Sequence, residues 1–402
     1  MARRDHGGGC LGCLTVIVLA VALMCALVFN FGPPIAGNIL EAFGRRATSS
    51  VSDLKDRITG DEGKPAEPKD TSGLGYAGSM LSETQQHAYL QLLEGLMAHE
   101  ETFPVFEVTA EDIDPAYNAL IRDHPEIFWI DGYLSYTYSK VGSVVSVTAG
   151  YTRTVEEAQA LKSQIEATAD AFLASLGEGA TEYDVAQAAY AYIISTTDYD
   201  IGAPDSQNIA SVLVNHSSVC AGYARTYQYL LQRAGVFCAY VEGTVGEGIE
   251  DHAWNLIRAD GVYAYVDPTW GDPAYLGTAS NIDTSSVIYD YLGLTTEEIV
   301  RDGHVFSNPD SWPVCDSYDL DYYRRAGMFF ESYDTAALEA SFATQSATGQ
   351  RMCAFKFARD EDLAQARSDI EAGAFLLSTL SSQTTTYSYT ISDSLRIVKL
   401  YW

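Results

Sequence analysis

The longest uninterrupted run of hydrophobic positions lies near the start of the chain, where residues 11–31 contain no charged side chain. As a helix, this run is long enough to cross a hydrocarbon core of ~30 Å. It lacks the polar face that a helix on the surface of a soluble core usually has. A cleaved signal peptide is the alternative, but its apolar region is normally shorter and no clear A-x-A site follows. The run therefore predicts a transmembrane signal anchor at 11–31.

The charges beside this run predict its orientation. Arg3 and Arg4 precede it, and positive charge favours the cytoplasmic side, although a second arginine pair at 45–46 weakens the bias. We therefore expect 1–10 to be a short cytoplasmic segment. The prediction is a single-pass protein of the cell membrane with its globular domain outside the cell.

The pattern changes twice after the anchor. Residues 32–78 are rich in Ser, Gly, Asp, Lys and Pro and predict a flexible linker. Residues 79–178 show helical and alternating patterns, which predict an N-terminal α+β region. The first expected element is a helix that starts at Ser82, where Gln85 completes a capping box, and ends at about His99. Strands follow at Ile127–Tyr138 and Val144–Tyr151, and then a helix from Thr154 to Leu176.

Residues 179–313 form the next predicted region. A capping box of Thr181 and Asp184 opens a helix that should end near Ser195. In the stretch 219–235, apolar residues recur at three- and four-residue spacing, which indicates a helix with one buried face that stops at Gly235.

A strand and a hairpin follow this helix. The strand is predicted at Val236–Thr244, and the hairpin strands at His252–Arg258 and Val262–Asp267. Asp260 and Gly261 between the hairpin strands are a strong two-residue turn. Beyond Pro273 the chain looks loop-rich up to about Pro313. The last region, 314–402, is predicted as α+β, with a helix near Asp360–Ala372 and a terminal strand at Ser388–Leu400.

Composition narrows the class of protein. The chain has 402 residues, of which 54 are acidic and 24 basic, giving a formal net charge of -30. The electrostatic field of this negative charge repels nucleic acid, which we exclude as a partner, and could favour basic or amine-bearing substrates.

Of the seven cysteines, Cys220, Cys238, Cys315 and Cys353 lie in the soluble part, with no metal-ligand spacing. Cys315 and Cys353 could form a disulfide in an oxidising compartment.

Cys220 is the first candidate for chemistry. It stands where the predicted helix of 219–235 begins. The unpaired N–H groups and partial positive charge of a helix N-terminus stabilise a thiolate and could also hold an oxyanion. A cysteine at a helix start is nevertheless more often only a small buried residue.

The hairpin supplies two partners for this thiol. With Asp260 and Gly261 in the turn, Trp254 lies opposite Asp267, and side chains two residues apart share a face. His252 and Asp267 are therefore diagonal neighbours on one side of the sheet. An aspartate there would hold the imidazole in the tautomer needed to deprotonate a thiol.

Three sequence blocks resemble the core motifs of the transglutaminase-like superfamily, namely VCAGYARTYQYLLQRAG, HAWNLI and YVDPTW. The resemblance covers about Thr181 to Pro273. It implies a papain-like α+β core in which the helix bearing the cysteine packs on an antiparallel sheet. It also implies that Cys220 is the nucleophile, His252 the general base and acid, and Asp267 the orienting carboxylate. We expect no metal and no cofactor.

Other residues near the predicted cleft are weaker candidates. Gln207 and Tyr199 could supply a second oxyanion donor, although no motif marks either as more than an ordinary loop residue. Trp254 could shield the His–Asp pair, and Trp270 could line the cleft, while a plain core role is an equal alternative for both. For His304 a structural role is favoured, because a triad already supplies the base.

These residues predict a cysteine acyl-transfer enzyme that acts on peptide or side-chain amides through a thioester. Resolution by water would make it a protease or amidase, and resolution by an amine would make it a transglutaminase. The expected partner is a protein or peptide substrate, and cell-wall peptide is suggested by location alone. The alternative is a non-catalytic cell-surface binding or scaffolding module that retains the fold.

Overall fold

The structure is a computed structural model that describes residues 73–139, 144–246, 250–273, 287–349, 351–375 and 386–402. The described residues other than 102–104 belong to one compact unit. The predicted membrane anchor at 11–31 and most of the predicted linker at 32–78 lie outside the described residues. Across the described ranges, every helix is too short or too polar to span a bilayer.

The N-terminal part is built from helices and a hairpin, and its predicted elements are confirmed. Ser82 forms the expected capping box with Gln85. A further helix, which begins at the Thr109 capping box, was not predicted. The elements are α1 (Tyr76–Ser79), α2 (Glu83–Met97), β1 (Thr102–Phe106), α3 (Ala110–Asp123), β2 (Ile130–Ser139), β3 (Val144–Tyr151) and α4 (Val155–Ser175).

The last residues of the predicted linker, from 73 to 78, are part of the described fold. The Asp123 carboxylate accepts hydrogen bonds from the backbone N–H groups of Ala77 and Gly78 at 2.9 and 2.8 Å. Gly78 is buried beside the Tyr89 ring. Composition could not show this anchoring, because the partner carboxylate comes from α3, far along the chain.

The central part contains the predicted cysteine helix, strand and hairpin with nearly the expected bounds. Its first elements are α5 (Glu182–Thr196), β4 (Asp198–Tyr199), α6 (Ile209–Leu213), β5 (Ser217–Ser218), α7 (Cys220–Arg233), β6 (Phe237–Val245), β7 (Glu250–Ala259) and β8 (Val262–Val266). Ala259 pairs with Val262, and Asp260 and Gly261 both have positive φ, at 50° and 82°. The turn is therefore the type that fits the twist of a two-residue hairpin.

The stretch predicted as loop-rich after Pro273 contains short elements that complete this sheet. They are a 3₁₀ turn (Tyr289–Tyr291), β9 (Leu292–Leu294), α8 (Thr296–Arg301), β10 (Val305–Phe306) and a second 3₁₀ turn (Pro309–Ser311). The order of the antiparallel five-stranded sheet is β10-β6-β7-β8-β9. Strands of two or three residues are too short to show an alternating pattern, and for that reason the sequence prediction missed them.

The C-terminal part is a second α+β layer. The predicted terminal strand is in fact two strands, because the chain turns at Asp393–Arg396 and pairs with itself. The elements are α9 (Tyr322–Arg325), β11 (Phe329–Phe330), α10 (Thr335–Ser346), β12 (Met352–Phe357), α11 (Asp360–Glu371), β13 (Ser388–Ser392) and β14 (Ile397–Tyr401), with the sheet order β11-β12-β14-β13.

The four cysteines of the described part are all free thiols. The suggested disulfide between Cys315 and Cys353 is therefore wrong. Cys315 packs in a hydrophobic cluster with Trp254 and Tyr265, whereas Cys353 packs in a different cluster with Phe342 and Phe355. Burial raises the pKa of both thiols to about 12, which makes them poor nucleophiles.

Candidate active site

Cys220 is the first residue of α7, as its sequence context predicted. The preceding residue, Val219, is extended and provides no side-chain cap, and the first turn carries no acidic residue. The N–H groups of this turn therefore remain available to a negative charge. The thiol is half-buried, whereas the other three described cysteines are buried.

A glycine allows the loop before α7 to pack against the helix start. A Cβ atom on Gly222 would lie 2.0 Å from Ser218 Oγ, 2.5 Å from Ser211 Oγ and 2.7 Å from the Ser206 carbonyl oxygen. The hydroxyls of Ser211 and Ser218 share a hydrogen bond of 2.6 Å. This close approach fixes the position from which Cys220 projects.

Buried polar contacts hold α7 on the sheet. The Asn255 amide of β7 donates a hydrogen bond of 2.9 Å to the carbonyl of Ala224, one turn beyond Cys220. The Tyr223 hydroxyl donates to Asp272 Oδ2 at 2.7 Å. These bonds, made in a buried environment, set the distance between the cysteine helix and the hairpin.

His252 and Asp267 meet as the hairpin register predicted. Asn255 pairs with Val266, so the next residues outward, Trp254 and Asp267, face each other at the end of the hairpin. His252 Nε2 lies 2.7 Å from Asp267 Oδ2. His252 is 4% exposed and Asp267 0% exposed. Because a carboxylate only accepts, His252 donates through Nε2, and Nδ1 is left for the thiol side.

The charge on His252 is set by competing effects. Burial alone lowers its pKa, but the Asp267 carboxylate, its hydrogen bond and a hydrogen bond with the Cys220 thiol outweigh burial and raise the pKa to about 10. The imidazole therefore has the Cys220 sulfur on one side and Asp267 on the other. This order, thiol, imidazole, carboxylate, is the one that proton transfer from sulfur requires.

Asp267 is held by four hydrogen bonds. Oδ1 accepts from the backbone N–H groups of Thr269 at 2.9 Å and Trp270 at 3.1 Å. Oδ2 accepts from His252 and also from His304 Nε2, at 3.1 Å. Burial by itself raises the pKa of Asp267, but the two imidazoles hold it well below its usual range. The carboxylate is thus ionised and fixed in orientation.

His304, for which the sequence favoured a structural role, lies at the site beside Asp267. It is 1% exposed and stands directly before β10, far along the chain from the hairpin. Its ring centroid lies 5.6 Å from that of His252 and 4.6 Å from that of Trp270. The only signal in the sequence was a histidine in a loop-rich stretch, which is too weak to place it beside Asp267.

One oxygen of Asp267 and one nitrogen each of His252 and His304 lie within 4.8 Å of one another and are the possible ligands of a metal ion. The two nitrogen–oxygen distances, 2.7 and 3.1 Å, are those of hydrogen bonds. A metal ion would have to replace both N–H protons. Hydrogen bonding accounts for this cluster without a metal.

The predicted aromatic residues surround the imidazole. Trp254 is fully buried, and its ring centroid lies 6.0 Å from that of His252. The half-buried Trp270 ring lies 5.9 Å from His252. Tyr199 is half-buried on β4, and Gln207 is exposed in the turn before α6. The participation of these two in an oxyanion site stays a prediction.

A cysteine at a helix start that faces a His–Asp pair on an antiparallel sheet defines the papain-like class of cysteine-enzyme folds. Comparison with protein families gives the same class more narrowly. Residues 170–268 match the model of the transglutaminase-like superfamily, so this segment of the chain is similar to that superfamily. The match includes Cys220, His252 and Asp267.

Relatives are similar to only part of the chain. Human "Kyphoscoliosis peptidase" is 30% identical over 111 residues, which are 24% of this chain and 17% of that protein. The mouse protein of the same name is 28% identical over 132 residues, covering 29% and 19% of the two chains. The chain thus spans less than a fifth of the length of the curated relatives it matches.

Solved structures are more distant. A structure described as a TGase aligns with a TM-score of 0.26 and 16% identity, covering 38% of this chain and 46% of that one. A putative cysteine protease from Cytophaga hutchinsonii aligns with a TM-score of 0.23 and 12% identity, covering 34% and 61%.

Proposed function

We propose that this protein is a cysteine acyl-transfer enzyme that attacks peptide or side-chain amides through Cys220. One observation carries the proposal. The half-buried Cys220 thiol lies beside the buried His252 imidazole, which is hydrogen-bonded to the ionised Asp267 carboxylate at 2.7 Å. A module used only for binding has no need of a buried imidazole kept basic beside a reachable thiol.

The first half-reaction forms a thioester. The proton of Cys220 is held on His252, whose raised pKa keeps the imidazole protonated, and the thiolate adds to the amide carbonyl carbon to give a tetrahedral oxyanion. First-turn N–H groups of α7 are placed to donate to this oxygen. When the carbon–nitrogen bond breaks, His252 gives its proton to the leaving amine or ammonia, and the acyl group stays on sulfur.

The second half-reaction frees the enzyme. Water or a primary amine gives a proton to His252 as its oxygen or nitrogen attacks the thioester carbon. The Cys220 thiolate then leaves, and with His252 as an imidazolium the two residues are back in their starting state. Asp267 stays ionised in both halves, stabilising the imidazolium and fixing its tautomer. Water yields an acid, and an amine yields a new amide.

Location and substrate class belong to the same proposal. The apolar run at 11–31 and the net charge of -30 favour a membrane-anchored protein whose acidic domain lies outside the cell. Such a surface attracts basic or amine-bearing protein substrates. Peptides of the cell wall are one such class on the grounds of location.

The test compares the products of the full-length protein and its Cys220→Ala variant. Glutamine- and lysine-containing peptides would be incubated with and without an added primary amine, and ammonia release and peptide masses followed. Amine incorporation that needs Cys220 supports transglutaminase activity, and chain cleavage or deamidation supports hydrolysis. We expect the variant to lose at least ~10³-fold of the rate. Equal product from both proteins, or none from either, would favour the non-catalytic module.

A further inference from the structure

We propose that His304 is a positioning residue that shares Asp267 with His252 and limits how strongly that carboxylate acts on the triad. The inference deepens the proposed function and rests on it. Both imidazoles donate to the same atom, Asp267 Oδ2, at 2.7 Å from His252 and 3.1 Å from His304. His304 touches no reacting atom in this arrangement, and its effect passes through Asp267.

The fold places His304 there by a close strand approach. Strand β10 lies beside β6, with Val305 opposite Thr244 and Phe306 opposite Gly243. A Cβ atom on Gly243 would lie 2.0 Å from the Val305 carbonyl oxygen and 2.6 Å from the Trp254 ring. Only a glycine allows this approach, and Gly243 also pairs with His252 in β7. The contact that positions His304 therefore adjoins the triad.

The hydrogen-bond pattern defines the state of His304. Asp267 can only accept, so His304 carries its proton on Nε2. Its Nδ1 atom is buried and has no hydrogen-bond partner among the residues that the structure describes. A residue that only fills space at 1% exposure would normally be apolar, because an unsatisfied ring nitrogen is costly to bury. The bond to Asp267 is the interaction that compensates for burying this imidazole.

The expected effect on the triad has a definite sign. A second donor spreads the charge of Asp267 over two hydrogen bonds and makes the carboxylate a weaker acceptor for His252. Loss of the His304 bond should make Asp267 more basic and keep His252 protonated to higher pH. The other ionisable groups facing the cluster are Cys220, Asp302, Tyr190 and Tyr291. Burial raises the pKa of the last three, and the tyrosines stay neutral in the range of the test.

Two substitutions of similar polarity test the proposal. His304→Gln places an amide N–H near the position of Nε2, whereas the shorter side chain of His304→Asn reaches only the position of Nδ1. The readout is the rate of Cys220 alkylation by iodoacetamide as a function of pH in the full-length protein. Mass spectrometry of the peptide that carries residue 220 measures it, with Cys220→Ala as the blank.

We expect His304→Gln to reproduce the profile of the unaltered protein. In His304→Asn the upper inflection should move to higher pH by ~0.5–1 units. This is less than the ~1–2 units that a direct hydrogen bond to a charged group is worth, because the effect reaches His252 through Asp267. If both variants slow alkylation alike without moving the inflection, His304 has only a packing role and the proposal fails. Slow alkylation of Cys220 in the unaltered protein would instead contradict the proposed function.

A second measurement reads the hydrogen bonds directly and does not depend on a reactive thiol. Imidazole N–H protons bonded to a buried carboxylate give far-downfield proton NMR signals. The unaltered full-length protein should show two, and a folded His304→Asn protein should show one. A single signal in the unaltered protein would overturn the shared use of Asp267.

Discussion

His252 makes the stability of this protein depend on pH through a single buried group. Its pKa is raised from the usual 6.5 to about 10, since the attraction of Asp267 outweighs the cost of burial. A group whose pKa rises on folding stabilises the protein fully below its unfolded pKa. That stabilisation is lost as the pH rises through the folded value.

The substitution that isolates this effect is His252→Gln, which keeps a donor toward Asp267 but cannot carry the charge. We expect the melting temperature to fall more at about pH 6 than at about pH 10, the folded pKa of His252. Thermal melts of the unaltered protein and the variant between these pH values measure the difference in melting temperature, in which the contributions of other titrating groups cancel. If this difference does not change with pH, the imidazole of the folded protein is not charged.

Of the cluster formed by His252, Asp267 and His304, the first two could be placed together from the sequence, because a local turn determines their positions. Asp260 and Gly261 set the hairpin register, and the register sets which side chains share a face. His304 could not be placed, because it reaches Asp267 through β10, a strand of only two residues. Long-range pairing of so short an element leaves no periodic trace in the sequence.

At the scale of elements, the helices predicted from a capping box and the longer strands lie where expected, whereas strands of two or three residues were not predicted. Helices with a Ser or Thr cap and a matching acid or amide three residues later, such as those opened by Ser82, Thr154 and Thr181, begin at the expected positions. The helix opened by Thr109 has the same signature followed by Pro115, and its apolar face was overlooked. Capping is a local signal, while strand pairing is not.

The start of α7 provides a prediction at this scale. Gly222→Ala should destabilise the protein by ~1–3 kcal/mol, because overpacking against the serine loop outweighs the better helix propensity of alanine. The added Cβ would meet the Ser206 carbonyl oxygen at 2.7 Å, an atom that cannot rotate away. Chemical unfolding would measure this loss, and alkylation of Cys220 should slow as the helix start moves.

Gly177→Ala is the matched control for this substitution. Nothing lies within 4 Å of a Cβ atom at Gly177, and its φ is not in the left-handed region. We expect a change within ~0.5 kcal/mol. If the two alanine variants unfold alike, the close packing described around the cysteine helix is wrong.

At the scale of the whole molecule, a buried ion cluster joins the C-terminal sheet to the central part. Lys356 of β12 is 0% exposed, and its Nζ lies 2.8 Å from Glu298 of α8 and 2.5 Å from Asp321, which caps α9. Burial by itself lowers the pKa of Lys356, but the two carboxylates raise it well above its usual range. Both carboxylates also accept hydrogen bonds at the starts of their own helices, and in the described part of the chain Lys356 is the cation paired with them.

Lys356→Ala should therefore cost about 3–5 kcal/mol of unfolding free energy, because it leaves two buried carboxylates without their cation. Lys162→Ala, which removes an exposed partner of Glu166 at 3.9 Å, is the control and should cost less than ~0.5 kcal/mol.

Burial raises the pKa of Asp321, so in the Lys356 variant protonation of Asp321 at mildly acid pH removes its unpaired charge. Denaturant unfolding at neutral and acid pH should show the gap between variant and unaltered protein narrowing as pH falls. A gap that matches the Lys162 control, or widens in acid, would mean that the cluster does not hold the two parts together.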